Sequence, residues 1–367
     1  MTDMSWRLGY GDSQRADRVI LSSNNEKTIV NAIYNRIALD VASLKFRHVR
    51  LDKNERFKEE MSTGLNEVLK TEANLDQSGR AFVHDMVLSM IDEGVVAAVP
   101  VETTDDPEVS SSYDISQMRV GPIVEWYPQH VKVRLYNSVT GRRQELTFRK
   151  RDVAILENPF YAVMNAPNST LQRLIRKLRL LDVIDEQAGS GKLDLIIQLP
   201  YTIRSEARQQ QAEIRRKSVE DQLAGNKLGI AYIDSTEKVI QLNRSVENNL
   251  LKQVEYLTSM LYSQLGFSQS ILDGTADEQT MLNYQNKTVE PLASTITDEF
   301  KRKFLTKTAR TQGQSIMFFT EPFRITPVSQ IAEIADKFTR NEILTSNEIR
   351  QIIGIKPSDD PKADELR

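Results

Sequence analysis

Apolar residues recur every three or four positions in two segments near the start of the chain, which is the spacing of an amphipathic helix. The first segment follows Glu26, and its stripe consists of Ile29, Ile33, Ile37, Val41 and Leu44. The second follows Ser78 and ends at Gly94, a residue type that favours the left-handed C-cap of a helix. Its stripe consists of Phe82, Val83, Met86, Val87, Met90 and Ile91. The pattern therefore predicts two helices with one buried face each.

The hydrophobic period changes to two between Val109 and Glu157. Here Val131, Val133 and Leu135 alternate with polar side chains, the pattern of a strand with one buried face. A turn at 137–141 then leads into a second strand at 145–149, which predicts a β-hairpin. The stretch 102–112 is acidic, rich in serine and contains a proline, so it is predicted to be a surface loop.

Two longer helical patterns flank a polar module in the second half of the chain. The first begins at Asn168, and the second runs from Ser245 to Gly266. Between them, strand-like runs at 193–199 and 228–233 enclose a polar helix at 205–223. On the first long helix the cations precede the anions, an order that opposes the helix macrodipole. We interpret these charges as a solvated face, with contact to a neighbouring copy of the chain as the alternative.

Composition and charge narrow the functional classes. The 367 residues are 40% hydrophobic and 27% charged, as in an ordinary soluble chain of two or three domains. The chain has no cysteine, which excludes disulfides and thiolate-bound zinc and fits a reducing cytosol. Its longest strongly apolar stretch, 95–101, is far shorter than the roughly 20 residues of a membrane span. The net charge of −3 disfavours a tight duplex-binding protein but allows DNA as a passing substrate.

Candidate catalytic and metal sites are few. His48, His84 and His130 form no pair at metal-ligand spacing, so each is interpreted as a packed or surface histidine. The run 189–192 lacks the spacing of a phosphate loop and is followed by Leu193 instead of Ser or Thr, so it is interpreted as a helix stop. The remaining candidates are two acidic pairs interpreted as surface charge, Asp105-Asp106 and Asp359-Asp360. The sequence therefore predicts no catalytic residue, no cofactor and no metal site, which disfavours a nucleic-acid-processing enzyme.

The segment after Gly266 combines a polar loop with a proline-containing helix. Residues 270–280 interrupt two helical patterns with a polar, acidic and glycine-containing run. The next helix contains Pro291, and its apolar stripe consists of Leu292, Ile296, Phe300 and Phe304. Proline removes a backbone donor and clashes with the preceding turn, so a bend is predicted at Pro291. This combination favours a moving element over a rigid enzyme site.

These motifs resemble the portal proteins of tailed bacteriophages, particularly those of long-tailed phages. The similarity lies in Leu265-Gly266-Phe267, Ile271-Leu272-Asp273-Gly274-Thr275, Glu290-Pro291-Leu292 and the helix around Glu299-Phe300. Near the C-terminus, Leu344 to Arg350 followed by Gly354 and Pro357 is similar to the closing motif of that family. Within it, Thr345 and Glu348 have the spacing of a capping box.

The resemblance implies an α+β, portal-type fold with a wing, a two-helix stem, an α/β clip, a kinked tunnel helix and a small helical crown. The implied divisions are an N-terminal arm at 1–25, the first part of the wing at 26–167, a stem helix at 168–191, the clip at 192–244, the second stem helix at 245–267, the tunnel loop at 268–283, the kinked channel helix with the completion of the wing at 284–326, and the crown at 327–367.

The resemblance also implies a function without catalysis. Portals form twelve-subunit rings at one capsid vertex, through which double-stranded DNA passes, without sequence-specific contacts, during packaging and ejection. The implied partners are the terminase large subunit, a head-tail adaptor, and the major capsid and scaffolding proteins, with no membrane. Such a ring is assembled in the cytoplasm of a bacterial host and remains in the virion. The alternative is an oligomeric scaffold or assembly protein without a DNA pore.

Three groups of site residues follow from the resemblance. Pro291 would be the kink of the channel helix. The tunnel-loop residues that would face the channel are Asp273, Gly274, Thr275, Asp277, Glu278, Gln279, Thr280 and Asn283. The clip would bind a terminase or adaptor through a basic edge of Arg204, Arg208, Arg215, Arg216 and Lys217. The stem would contact a neighbouring subunit through Arg173, Arg176, Lys177, Asp182, Asp185 and Glu186. Without the resemblance, the tunnel loop is interpreted as an ordinary surface loop. Most of the clip charges are interpreted as solvated surface charges.

Overall fold

The computed structural model describes residues 28–106, 113–189, 195–198, 205–224, 238–241, 246–320, 337–341, 343, 345–353, 358 and 360–366. The predicted arm at 1–25 and the strand predicted at 228–233 lie outside the described residues, as do Arg204, Gly354 and Pro357.

Helices and strands both occur in the first and the second half of the described chain. The helices are α1 (Thr28–Ala42), α2 (Gly64–Lys70), α3 (Gly79–Glu93), α4 (Tyr161–Met164), α5 (Thr170–Gly189), α6 (Glu206–Ala224), α7 (Val246–Leu265), α8 (Gln269–Asp273), α9 (Glu278–Tyr284), α10 (Glu290–Phe304), α11 (Lys307–Thr311) and α12 (Ser346–Ile353). A π-helical stretch, which we call the π segment (Gln285–Val289), joins α9 to α10, and a short 3-10 helix spans Pro361–Asp364.

The strands are β1 (Lys45–Leu51), β2 (Phe57–Glu60), β3 (Glu72–Asn74), β4 (Gln77–Ser78), β5 (Val95–Thr103), β6 (Ile115–Trp126), β7 (His130–Asn137), β8 (Arg142–Arg149), β9 (Ala154–Glu157), β10 (Leu195–Gln198), β11 (Lys238–Gln241) and β12 (Gln314–Phe319). A five-stranded antiparallel sheet has the order β8-β7-β6-β5-β9, and a three-stranded one has the order β12-β1-β2. Two smaller sheets pair β3 with β4 and β10 with β11. The strand β12 lies beside β1, with Phe318 opposite Phe46, so a late segment completes a sheet begun near the start of the described chain.

The two helices predicted from the first apolar stripes are confirmed as α1 and α3. The hydroxyl of Ser78 accepts a hydrogen bond from the backbone N–H of Ala81 at 3.3 Å and caps the N-terminus of α3. Gly94, with φ +82, ends the helix as predicted. Most side chains of both stripes enter the principal hydrophobic core, where Ile33 and Phe82 are fully buried. Ile29 is 39% exposed instead, and Leu44 lies beyond the end of α1. A helix pair packed against sheets therefore forms the first half of the fold.

The predicted hairpin is confirmed as β7 and β8, and Val131, Val133 and Leu135 are buried in a second core on one face of the five-stranded sheet. The loop predicted to start at residue 102 begins later, because Glu102 pairs with Gln117 and extends β5. Cross-strand pairing with β6 here outweighs the polar local sequence.

The long helices α5 and α7 pack against each other in the principal core, and both confirm the predicted helices. Their buried faces consist of Leu171, Leu174 and Ile175 on α5 and Leu250, Val254, Leu257, Leu261 and Leu265 on α7. Between them, β10 and α6 confirm the first predicted strand and the polar helix of the module. The strand that pairs with β10 is β11 at 238–241, a short run that the pattern did not single out. Gly266 ends α7 with φ +60, as predicted.

The capping box predicted near the C-terminus is confirmed at the start of α12. The backbone N–H of Glu348 donates to Thr345 Oγ1 at 3.2 Å, and the backbone N–H of Thr345 donates to Glu348 Oε2 at 2.8 Å. Asn347 then accepts from the backbone N–H of Ser358 at 2.7 Å, which ties α12 to the segment after it. Over the described ranges, none of the helices combines the length and apolar character that crossing a bilayer requires.

Candidate functional site

The predicted tunnel loop is more ordered than its sequence suggested, because two short helices occupy most of it. Gly274, with φ +79, ends α8 in the left-handed region. Asp277 then accepts a hydrogen bond from the backbone N–H of Thr280 at 2.9 Å and caps α9. Only residues 274–277 remain irregular between the two helices. The polar loop predicted at 270–280 is therefore shorter than expected, and the capping spacing from Asp277 to Thr280 is the sequence signal for α9.

Local hydrogen bonds hold this short connection in place. The carbonyl of Ser270 accepts from the backbone N–H groups of Thr275 and Ala276 at 2.9 and 3.0 Å. The Asp273 carboxylate accepts from both the hydroxyl and the backbone N–H of Thr275. These bonds lower the pKa of Asp273, and the bonds from Thr280 lower the pKa of Asp277 in the same way. Both carboxylates are therefore negatively charged at neutral pH.

The predicted tunnel residues lie together on an exposed stretch that we call the acidic segment, residues 273–283. Its side chains are exposed except for those of Ala276, Thr280 and Met281, which are half-buried. Buried residues hold the segment at both ends, Ile271 before it and Tyr284 after it. The acidic segment is thus a polar surface mounted on a fixed base.

The charge of this region has one sign over a long stretch of chain. No Lys, Arg or His occurs between Lys252 and Lys287. The acidic segment contributes three carboxylates to that stretch, from Asp273, Asp277 and Glu278. Such a surface repels phosphate groups, and it lacks the cations that bind them.

The helix that follows is interrupted just before Pro291. In the π segment the backbone N–H of Glu290 donates to the carbonyl of Gln285, five residues earlier, instead of to the fourth. Pro291 has no N–H. In a regular α-helix its ring would also clash with the carbonyl four residues earlier, which belongs to Lys287. The irregularity therefore lies N-terminal to the proline, where a wider turn relieves that clash. Two recognised causes of helix bending coincide here.

Contacts with other elements hold the π segment and the last residue of α9 in place. The Thr288 hydroxyl donates to the carbonyl of Leu265, the last residue of α7. The Tyr284 hydroxyl donates to Asp40 of α1 at 3.0 Å, and the Tyr284 ring meets that of Phe267 edge-on at 5.3 Å between centroids. Burial, with the Asp40 charge beside it, raises the pKa of Tyr284 far above its usual range, so the hydroxyl keeps its proton. Thr288 could not be identified from the sequence, because a lone threonine inside a helix carries no pattern.

The charged residues predicted for the stem differ in exposure. Arg173 and Arg176 are exposed on α5, whereas Lys177 and Asp182 are half-buried. Asp182 Oδ2 is enclosed without a hydrogen-bond partner within the described part of the chain. The side chains of Asp185 and Glu186 lie outside the described residues.

Four of the five predicted clip cations lie on α6, most of whose described side chains are exposed. Arg208, Arg216 and Lys217 are exposed and Arg215 is half-buried. Ile214 is 69% exposed beside them, so the basic edge includes an apolar side chain. This surface offers both charge and some apolar area to a partner.

The histidines offer no catalytic arrangement. His48 is buried in β1, with Nδ1 2.8 Å from Thr63 Oγ1 and Nε2 3.2 Å from Gln314 Oε1. Burial lowers the pKa of His48, so it is the neutral, packed histidine that the sequence suggested. Within the ranges that the structure describes, no three His, Asp or Glu side chains are grouped so as to hold a metal ion.

Comparisons with known proteins agree on one family. A family model described as "Phage portal protein" matches residues 28–354. Two proteins described as "Probable portal protein", from Lactococcus phage p2 and Lactococcus phage SK1, are each 17% identical to the chain over 346 residues, covering 89% of this chain and 80% of each relative. The crystal structure of an HK97 family phage portal protein from Corynebacterium diphtheriae aligns with a TM-score of 0.55 and 13% identity over 82% of this chain and 96% of that chain. At that identity the likeness establishes the fold, a mixed arrangement of helices and sheets.

Proposed function

Because the chain belongs to the phage portal protein family, we propose that it assembles into a dodecameric ring at one vertex of the capsid and forms the channel for DNA packaging and ejection. Proteins of this family are structural and non-enzymatic, so the mechanism is mechanical. A separate terminase supplies the energy, and the ring admits and retains the DNA. The observation that supports the channel role is the stretch between Lys252 and Lys287, which contains exposed carboxylates and no basic residue.

Basic side chains on a channel surface would hold DNA in place. Each Lys or Arg that neutralises a phosphate releases counterions and strengthens binding, which resists movement of the duplex. Carboxylates at the channel surface have the opposite effect and leave the polyanion free to slide. In this proposal the acidic segment lines the channel at its constriction, and the π segment with Pro291 gives the supporting helix a place to bend.

The remaining elements take the roles that the fold suggests. The sheets and helices from α1 to β9, completed by β12, form the wing, and α5 with α7 forms the stem. The β10-α6-β11 module forms the clip, and α12 belongs to the crown. Charged α5 residues, including Arg173 and Arg176, contact a neighbouring subunit in the ring. The wing and crown face the major capsid and scaffolding proteins, in a particle assembled in the host cytoplasm.

Imaging of the purified protein tests the ring directly. Negative-stain electron microscopy of the full chain should give round particles with a central opening, and class averages should give their rotational symmetry. Filaments, small oligomers without an opening, or monomers at micromolar concentration would favour the alternative of a scaffold protein and contradict the channel.

The clip gives a second test of the proposal, through its partners. Arg215→Glu with Arg216→Glu should reduce binding to the terminase large subunit or the head-tail adaptor by about tenfold in a pull-down, because it replaces two of the five cations of the basic edge by carboxylates. A matched control is Lys53→Glu with Arg56→Glu, which reverses two exposed cations in the turn between β1 and β2. Equal binding by wild type and both double variants would remove the clip role and leave the ring untouched.

A further inference from the structure

The π segment contains one residue more per turn than an α-helix, so two registers are open to the helix that includes it. In the observed register the extra residue sits in the wide turn between α9 and α10. If that turn tightened to α geometry, the extra residue would leave the turn and become part of the regular helix on one side of it. The part on one side of the turn would then rotate by about 100° and move by about 1.5 Å relative to the other part.

Core packing decides which part would move. On α10 the side chains of Leu292, Ala293, Ile296 and Phe300 are fully buried in the principal core, so a rotation of α10 would expose its apolar face. On α9 only Tyr284 is buried, and the other side chains are exposed or half-buried. A change of register would therefore turn α9 and change the direction in which Glu278, Gln279 and Asn283 point.

The end of α7 touches the π segment at two consecutive residues. Thr288 is fully buried, and its hydroxyl donates to the carbonyl of Leu265, one of the last carbonyls of a helix, which have no partner within it. Gly266 has φ +60 and lies beside Lys287 of the π segment. A Cβ on Gly266 would lie 3.0 Å from Lys287 Cβ. The backbone at 265–266 thus fits the π segment in the register observed.

We propose that Thr288 is a positioning residue, whose hydrogen bond to Leu265 keeps the helix in its π register and so sets the direction of the acidic segment. The Tyr284 hydroxyl bond to Asp40 supports the same register, because a rotation of α9 would withdraw Tyr284 from both Asp40 and Phe267. The positioning itself is independent of the DNA channel, and only its consequence for DNA passage rests on the proposed function.

The test compares Thr288→Val, which keeps the side-chain shape and removes the hydroxyl, with Thr288→Ser, which keeps the hydroxyl. The wild-type chain has no cysteine, so spin labels can be placed at Gln279→Cys and Asp298→Cys, two exposed positions on either side of the π segment. The labelled residues are separated by about 28 Å along the helix, which pulsed electron paramagnetic resonance can measure. Labelled full-length chain is diluted with unlabelled chain so that an assembly holds about one labelled copy.

Thr288→Val should shift or split the distance distribution, and it should raise amide hydrogen exchange across residues 281–290 about tenfold, because a buried carbonyl loses its donor. Thr288→Ser should restore both readouts to wild-type values. A distribution and exchange rates unchanged in Thr288→Val would overturn the proposal, as would equal changes in the Val and Ser variants. If Thr288→Val does not yield soluble protein, Thr288→Ala carries the same expectation. Neither readout uses DNA, so a result that overturns the positioning role of Thr288 leaves the proposed channel role untouched.

Discussion

Replacing Glu278 by lysine should reduce DNA packaging roughly tenfold or more, because it places a cation among carboxylates that otherwise repel phosphate. Glu278 is exposed at the first position of α9, so the substitution removes no buried contact. A lysine there opposes the helix dipole, which costs about 0.3 to 1 kcal/mol and leaves the fold intact. In a ring, the substitution adds one cation per subunit at the same level of the channel.

Two further variants separate charge from other effects. Glu278→Gln removes the negative charge without adding a cation and should have a smaller effect than Glu278→Lys. Glu72→Lys makes the same charge reversal at an exposed position of β3, far along the chain from the acidic segment, and should package normally. Nuclease-protected genomes per particle give the readout after complementation of a portal-deficient phage. Wild-type packaging by Glu278→Lys rings would mean that the acidic segment does not meet the DNA.

Purified rings give an independent measurement of the same effect. Glu278→Lys should bind linear duplex DNA more tightly than wild type at low salt, and its affinity should fall more steeply as salt rises, because each new phosphate contact adds to the salt slope. Identical salt slopes for the two proteins would contradict a channel lined by this residue.

The elements that could be predicted are those whose local signals agree with their packing. The helix α3 has a periodic stripe, a serine cap and a terminal glycine, so Ser78 and Gly94 bounded it within a residue. The strand β7 has a strict alternation that matches its one buried face. The order of the strands within each sheet could not be predicted. β12 pairs with β1 although most of the chain lies between them, and no local pattern encodes that pairing.

The candidate site shows the same division between local and distant causes. The polar residues of the acidic segment were singled out from sequence, and all of them except the half-buried Thr280 are exposed. The helix α9 was missed because it carries no apolar stripe and depends on a cap at Asp277 and a buried anchor at Tyr284. The π segment depends on the contact between Thr288 and Leu265, residues 23 positions apart, which a periodicity within one helix does not reveal.

Gly121→Ala should destabilise the five-stranded sheet by roughly 3 kcal/mol or more, or prevent folding, because the sheet leaves no room for a Cβ there. A Cβ at Gly121 would lie 2.3 Å from the carbonyl oxygen of Arg134 and 2.8 Å from Leu135 Cδ2. The first contact is with backbone, so β6 and β7 would have to separate where Val133 and Leu135 are buried.

Gly141→Ala is the matched control for this prediction, since Gly141 lies in the turn between β7 and β8 with φ +65 and nothing within 4 Å of an added Cβ. That change introduces left-handed backbone strain alone and should cost about 1 to 2 kcal/mol. Urea unfolding followed by circular dichroism gives both values, and the clash with the backbone of β7 should make Gly121→Ala the more destabilising of the two. Equal destabilisation by the two substitutions would mean that β7 does not approach Gly121 as closely as described.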